Sequence, residues 1–176
     1  MPTLTWSDEL ALSHKQMDAT HQEFVELLTA AELAWSESKE ACLARYEALV
    51  EHTIGHFGQE DRWMEATGFA ADNCHAGQHK QVLALMHEVT RLAREADDWG
   101  PLERVLPELG KWFAMHAQTM DAMLASHLEQ VGYDPETGFV GHPLNTGTAP
   151  ITGCGGDHEC STRPAAEPAA ADAATA

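Results

Sequence analysis

Four long segments of the chain repeat their apolar positions every three to four residues, the spacing that lines one face of a helix. In the first, over about 17–35, the stripe is Met17, Phe24, Leu27, Leu28, Ala31 and Trp35. The second, over about 39–66, carries Cys42, Tyr46, Leu49, Thr53, His56 and Glu60 along its inner face. Gly68 follows where a helix wants a residue that accepts a left-handed cap. Asp72 and Asn73 then offer side chains suited to an N-cap. A third helix is expected over about 73–95, with His75, His79, Val82, Leu83, Met86 and Val89 inward. The run "DDWGP" breaks the pattern, and a fourth helix is expected over about 102–131. It should bury Leu102, Leu106, Leu109, Phe113, His116 and Met123, with Pro107 delaying its true start.

No stretch alternates as a strand would. Ahead of the first helix, "LTWSDELALSHKQ" reads as an extended arm with apolar Leu4, Trp6, Leu10 and Leu12. Four helices with short connections predict an all-α, antiparallel up-down-up-down four-helix bundle, an architecture that builds its sites from inward side chains. After Gly132 the periodicity fades into a turn-rich segment and then "RPAAEPAAADAATA". The expected organisation is a bundle domain over 1–138 and a Gly/Pro/Ala-rich, largely disordered tail over 139–176.

Charge narrows the partners. The 176 residues carry 28 acidic against 10 basic side chains, a formal net charge of −18 with the eleven histidines neutral. Such a surface repels phosphate backbones and anionic headgroups, so neither nucleic acid nor membrane is an expected partner. No apolar run approaches the ~18 residues that a span requires. The opening "MPTLTWSDEL" has neither a basic nor an apolar leader region, and a cytoplasmic location is expected. Four cysteines are too few for a disulfide scaffold at this length.

The chemistry lies on the inner stripes. His21, His56, His75, His79 and His116 fall there, joined by Glu60 and Asp121. His56 and Glu60 are four apart, as are His75 and His79, so each pair points the same way from its helix. Unpaired buried imidazoles and carboxylates cost several kcal/mol together unless something compensates. Seven inward ligands exceed the four of a tetrahedral zinc site and suit two adjacent ions sharing carboxylates. Imidazole with carboxylate is compatible with iron, copper, nickel or zinc. His116 and Asp121 are five apart, ~140° around a regular helix, whereas Met120 stands in better register. Either Asp121 reaches in from the flank or the helix widens into a π-bulge.

The motifs "MDATHQEF", "HFGQE", "HAGQH" and "WFAMHAQTMD" together resemble the four ligand motifs of the hemerythrins, in order and spacing, over about residues 4–132. That resemblance implies a non-heme di-iron centre with an oxo or hydroxo bridge and reversible O2 binding. By its pattern His75, His79 and His116 hold one iron, His21 and His56 hold the other, and Glu60 and Asp121 bridge them. The second iron then keeps an open position for O2, and binding proceeds without turnover. Phe24, Phe57, Trp112 and Phe113 could wall a dry pocket around it; the same rings also serve as core. Two other functions compete: a di-iron oxidase or peroxidase, and a redox-, nitric-oxide- or iron-responsive signalling module acting through a partner. The carboxylate-poor ligand set disfavours the first, and the second would need an output partner in trans.

Some candidates stay outside this set. His52, one turn before His56, either supports the site or is a surface or hydrogen-bonded core residue, and His87 is similarly open. In "CGGDHEC", Cys154, His158 and Cys160 could bind a soft metal or form a redox-switchable disulfide; reduced thiols are the ordinary state in a cytosol.

Overall fold

A computed structural model of the chain describes residues 2–69 and 73–142. Helix α1 spans Lys15–Ala34, α2 Lys39–Thr67, α3 Cys74–Ala96 and α4 Gly100–His116. The fourth rod continues through a π-helical turn, Ala117–Asp121, into α5, Ala122–Gln130. Neighbouring helices in sequence pack on one another, and α4 returns to α1, which closes the four-helix bundle. Among the described residues no helix is long and apolar enough to cross a membrane.

Local chemistry sets the helix ends. The side chain of Ser38 accepts from the Ala41 amide at 2.9 Å, and that of Asn73 accepts from the Ala76 amide at 2.9 Å. Each satisfies one of the orphan donors of a first helical turn. At the other end of α2, Gly68 adopts φ 74°, a left-handed cap that costs a residue with a Cβ about 1–2 kcal/mol. The fourth rod departs from expectation at its start. Pro101 sits in the first turn, where its missing N–H is no loss, and the helix then runs through Pro107 instead of waiting for it.

Two apolar clusters fill the bundle. The larger includes Phe24, Leu28, Tyr46, Leu49, Met86, Leu102, Leu106 and Phe113. The smaller includes Met17, Trp63, Met64, Phe69, Leu124 and Leu128. His21 lies between Met17 and Phe24 on α1, and His116 and Asp121 lie between Phe113 and Leu124 on the fourth rod. The polar residues thus form a layer between two dry ends.

The arm is partly helical, with a 3-10 turn over Asp8–Leu10. Leu10 is buried, while Leu4 and Trp6 pack on the larger cluster and Leu12 on the smaller. After Gly132, strands β1, Tyr133–Asp134, and β2, Phe139–Val140, pair antiparallel. Described structure therefore reaches residue 142, past the position where the turn-rich sequence suggested the tail begins. Cys154, His158 and Cys160 lie outside the described residues, as does Asp72.

Candidate metal centre

The local structure that aims each side chain differs from helix to helix. His56 and Glu60, and likewise His75 and His79, use the regular i, i+4 spacing of α2 and α3. His21 stands alone on α1. His116 ends α4, and the π turn after it adds one residue to the circuit, which carries Asp121 rather than Met120 inward. The same shift makes Leu124 fully buried and leaves Met123 only partly so, against the regular-helix expectation for Met123.

All seven predicted ligands are buried, none more than 4% exposed. The imidazoles present Nε2 to the carboxylates. Glu60 Oε1 lies 2.9 Å from His56 and 3.8 Å from His21, whereas its Oε2 lies 3.2 Å from His75 and 3.3 Å from His79. Asp121 Oδ2 lies 3.2 Å from His21, and its Oδ1 lies 3.0 Å from His75 and 3.1 Å from His116. His79 Nε2 and His116 Nε2 approach to 3.3 Å. Ligand atoms of Glu60, His75, His79, His116 and Asp121 all fall within 4.8 Å of one another, and those of His21, His56 and Glu60 form a second such group.

Several of these contacts are close without being hydrogen bonds. Nε2 of His21, both oxygens of Asp121 and Oε2 of Glu60 are buried with no hydrogen-bond partner among the described residues. Buried polar atoms left so would cost about 1–3 kcal/mol each. Lone pairs aimed at a common point, not at donors, are what a cation needs.

Electrostatics favour the ionised carboxylates. Burial would raise the Glu60 pKa, but the His56 charge and the contacts with His21, His56 and His75 outweigh it and hold the acid well below its usual range. Burial and the Glu60 charge push Asp121 the same way, yet the rings of His116, His21 and His75 keep it depressed. For His21 the burial penalty loses to Asp121 and Glu60, which lift the ring to about 9. For His116 burial wins and the pKa falls. Two anions and five basic rings in one dry layer make a cation-binding set.

The four aromatic candidates surround that layer. Phe57 stacks on His79 at 3.9 Å, Trp112 stacks on His116 at 4.5 Å, and Phe24 stacks on Phe113 at 4.1 Å. Phe113 meets His21 edge-on at 5.1 Å. Phe24, Phe57 and Phe113 are essentially inaccessible, while Trp112 is partly exposed.

Other polar residues do less or more than the sequence suggested. His52 Nε2 bonds the Thr20 carbonyl at 3.1 Å and joins α2 to α1; its ring stands 6.1 Å from that of His56. His87 is exposed. Sequence reasoning missed Asp61, 3.2 Å from His79 Nδ1, and Gln78, 3.2 Å from His116 Nδ1. Each is the chain neighbour of a ligand, about 100° around its own helix, and only the packing of facing helices brings it to a ring.

Comparison with known proteins agrees with the geometry. Residues 13–128 match the family model described as the hemerythrin HHE cation-binding domain. A bacteriohemerythrin from Ralstonia nicotianae is 39% identical over 135 residues, covering 76% of this chain and 95% of its own. Bacteriohemerythrins from Pseudomonas paraeruginosa and Stenotrophomonas maltophilia are 27% and 23% identical, over 69% and 78% of this chain and 79% and 92% of their own. With that span of similarity and a His/Glu/Asp cluster of this chemistry, the chain belongs to the hemerythrin HHE cation-binding family.

Proposed function

We propose that the chain is a non-heme di-iron protein that binds O2 reversibly. His75, His79 and His116 would hold one iron and His21 and His56 the other, with Glu60 and Asp121 spanning both beside an oxo or hydroxo bridge. The observation that carries this reading is the split of each carboxylate. One oxygen of Glu60 faces His56 and His21, and the other faces His75 and His79. Asp121 divides in the same sense, Oδ2 to His21 and Oδ1 to His75 and His116. A carboxylate so placed fits between two ions; a single ion would draw both oxygens to one side.

The ligand chemistry also suits zinc or copper. Iron enters from the likeness to bacteriohemerythrins. A ferrous pair would supply the two electrons that O2 takes up on binding. The chain's own residues do the rest. Five neutral ligands against two anionic ones make the set less electron-rich than carboxylate-dominated sites, which suits reversible ligation without turnover. The two-histidine half has one ring fewer, which leaves room for a small ligand. Phe24, Phe57, Trp112 and Phe113 exclude water around it.

The experiment is spectroscopic. The iron-loaded protein is reduced without oxygen, air is admitted, and the sample is then evacuated. A visible band that appears with air and vanishes under vacuum through repeated cycles, at two irons per chain, is expected. Irreversible bleaching with product formation would point to an oxidase. A colourless protein holding only zinc would end the iron reading.

A further inference from the structure

Two rings of the three-histidine half have a partner behind them. His79 Nδ1 lies 3.2 Å from Asp61 Oδ1. His116 Nδ1 lies 3.2 Å from Gln78 Oε1, which also accepts from Trp112 Nε1 at 3.3 Å. Oxygen can only accept here, so each ring keeps a proton on Nδ1 and turns the Nε2 lone pair toward the centre. The stacked Phe57 and Trp112 fix the same two ring planes. In the two-histidine half, Nδ1 of His21 and of His56 have no hydrogen-bond partner among the described residues. Those rings are held from the carboxylate side, with no acceptor behind Nδ1 to fix their tautomer.

Resting on the two-ion reading above, we propose that Asp61 and Gln78 are positioning residues that make the three-histidine half the tighter metal site. That half fills first and empties last. A ring whose tautomer and plane are set beforehand loses less freedom when it binds, and an acceptor on Nδ1–H makes Nε2 more basic. Asp61 has the greater leverage because it is an anion. Its side chain is 46% exposed, beside a cavity of about 190 Å³ shared with Arg62 and Lys80, so water and neighbouring cations screen it. The effect of its removal belongs near the low end of the ~10–100-fold usual for such partners.

The test titrates the metal-free full-length chain with zinc(II) against a competing chelator, which needs neither iron nor oxygen. Two unequal steps are expected. Asp61→Ala should weaken the tighter step about tenfold and leave the weaker one within about twofold. Asp61→Asn, which keeps an acceptor oxygen, should recover most of that loss, and Gln78→Ala should also weaken the tighter step. His56→Ala should abolish the weaker step first. Circular dichroism of each metal-free variant monitors folding, and if Asp61→Ala does not fold, Asp61→Asn and Gln78→Ala carry the comparison. Two equal steps in the parent protein, or Asp61 variants that shift both steps alike or neither, would overturn the inference while leaving the two-ion reading intact. A chain that never takes two equivalents overturns both.

Discussion

Asp121 stands five residues after His116, yet its Oδ1 lies 3.1 Å from His116 Nε2 and its side chain is wholly buried. A regular helix would have pointed it ~140° away. The π turn over Ala117–Asp121 absorbs one residue, and the register it sets persists through Leu124 and Leu128. The bulge and the site depend on one another through that register.

Exchanging the two residues, Met120→Asp with Asp121→Met, tests the dependence. In a regular helix the exchange would move the acid into the better position. Here Leu124 and Leu128 anchor the shifted register, so the acid should leave the centre. We expect the double variant to stay helical by circular dichroism and to bind fewer than two irons per chain by elemental analysis. Retention of both irons would mean that the bulge does not set the site.

Glu60 contacts four rings, and its two oxygens divide between the two halves. Glu60→Gln keeps the shape and removes the charge that would offset the two ions proposed above. Iron content should fall from two per chain toward one. The loaded parent protein should also melt higher than the metal-free one. A ligand at 1,000 times its Kd adds about 4 kcal/mol, and at ~2–4 °C per kcal/mol for a chain of this size the rise is roughly 8–16 °C. Calorimetry should show most of that gain lost in Glu60→Gln.

Phe113 is fully buried, stacked on Phe24 and edge-on to His21. Phe113→Ala would open space beside the two-histidine half, at a stability cost of about 3–5 kcal/mol. Water admitted there should shorten the lifetime of the air-treated form, read as faster decay of its visible band. The milder Phe113→Leu separates the effects: it should lose less stability and still decay faster than the parent. An unchanged decay in both variants would mean that Phe113 does not keep water from the centre.

Much of this architecture could be read from the residues, because it is written in periodicity and caps. Gly68 ends α2 and Asn73 starts α3 as their chemistry suggests. The misfit between His116 and Asp121 announced a bulge or an angled acid, and the π turn is what the helix does. What that bulge does downstream was missed, since replacing Met123 by Leu124 on the inner face depends on a shift in register that no residue type signals. Pro107 misled because helix-breaking is a local rule, while packing of Leu106 and Leu109 on the core holds the helix through it. The strand pair at 133–140 is only two residues per strand, too short to show alternation. Asp61 and Gln78 belong to contacts between helices, which a linear pattern does not encode.

His127 lies outside the polar layer. Its Nε2 lies 3.0 Å from Thr67 Oγ1 and 3.3 Å from the Thr67 carbonyl, with Phe69 edge-on at 5.1 Å. Burial lowers the ring's pKa, and the Thr67 carbonyl only partly offsets it. The unfolded chain, with an ordinary value near 6.5, therefore binds this proton more readily than the folded one. The contribution of the neutral ring is present above about pH 6.5 and is lost as the pH falls through the depressed folded value. His14, His52 and His116 are also held below their ordinary value and tilt the slope the same way, while His21 and His79, held above it, oppose them, so the parent's slope alone does not isolate His127. His127→Gln does isolate it, since the amide can still reach Thr67 but does not titrate. Urea unfolding of the metal-free proteins between about pH 5 and 7 should show a shallower loss of stability in the variant. Parallel slopes for the two proteins would mean that His127 charges as easily in the folded bundle as in the open chain.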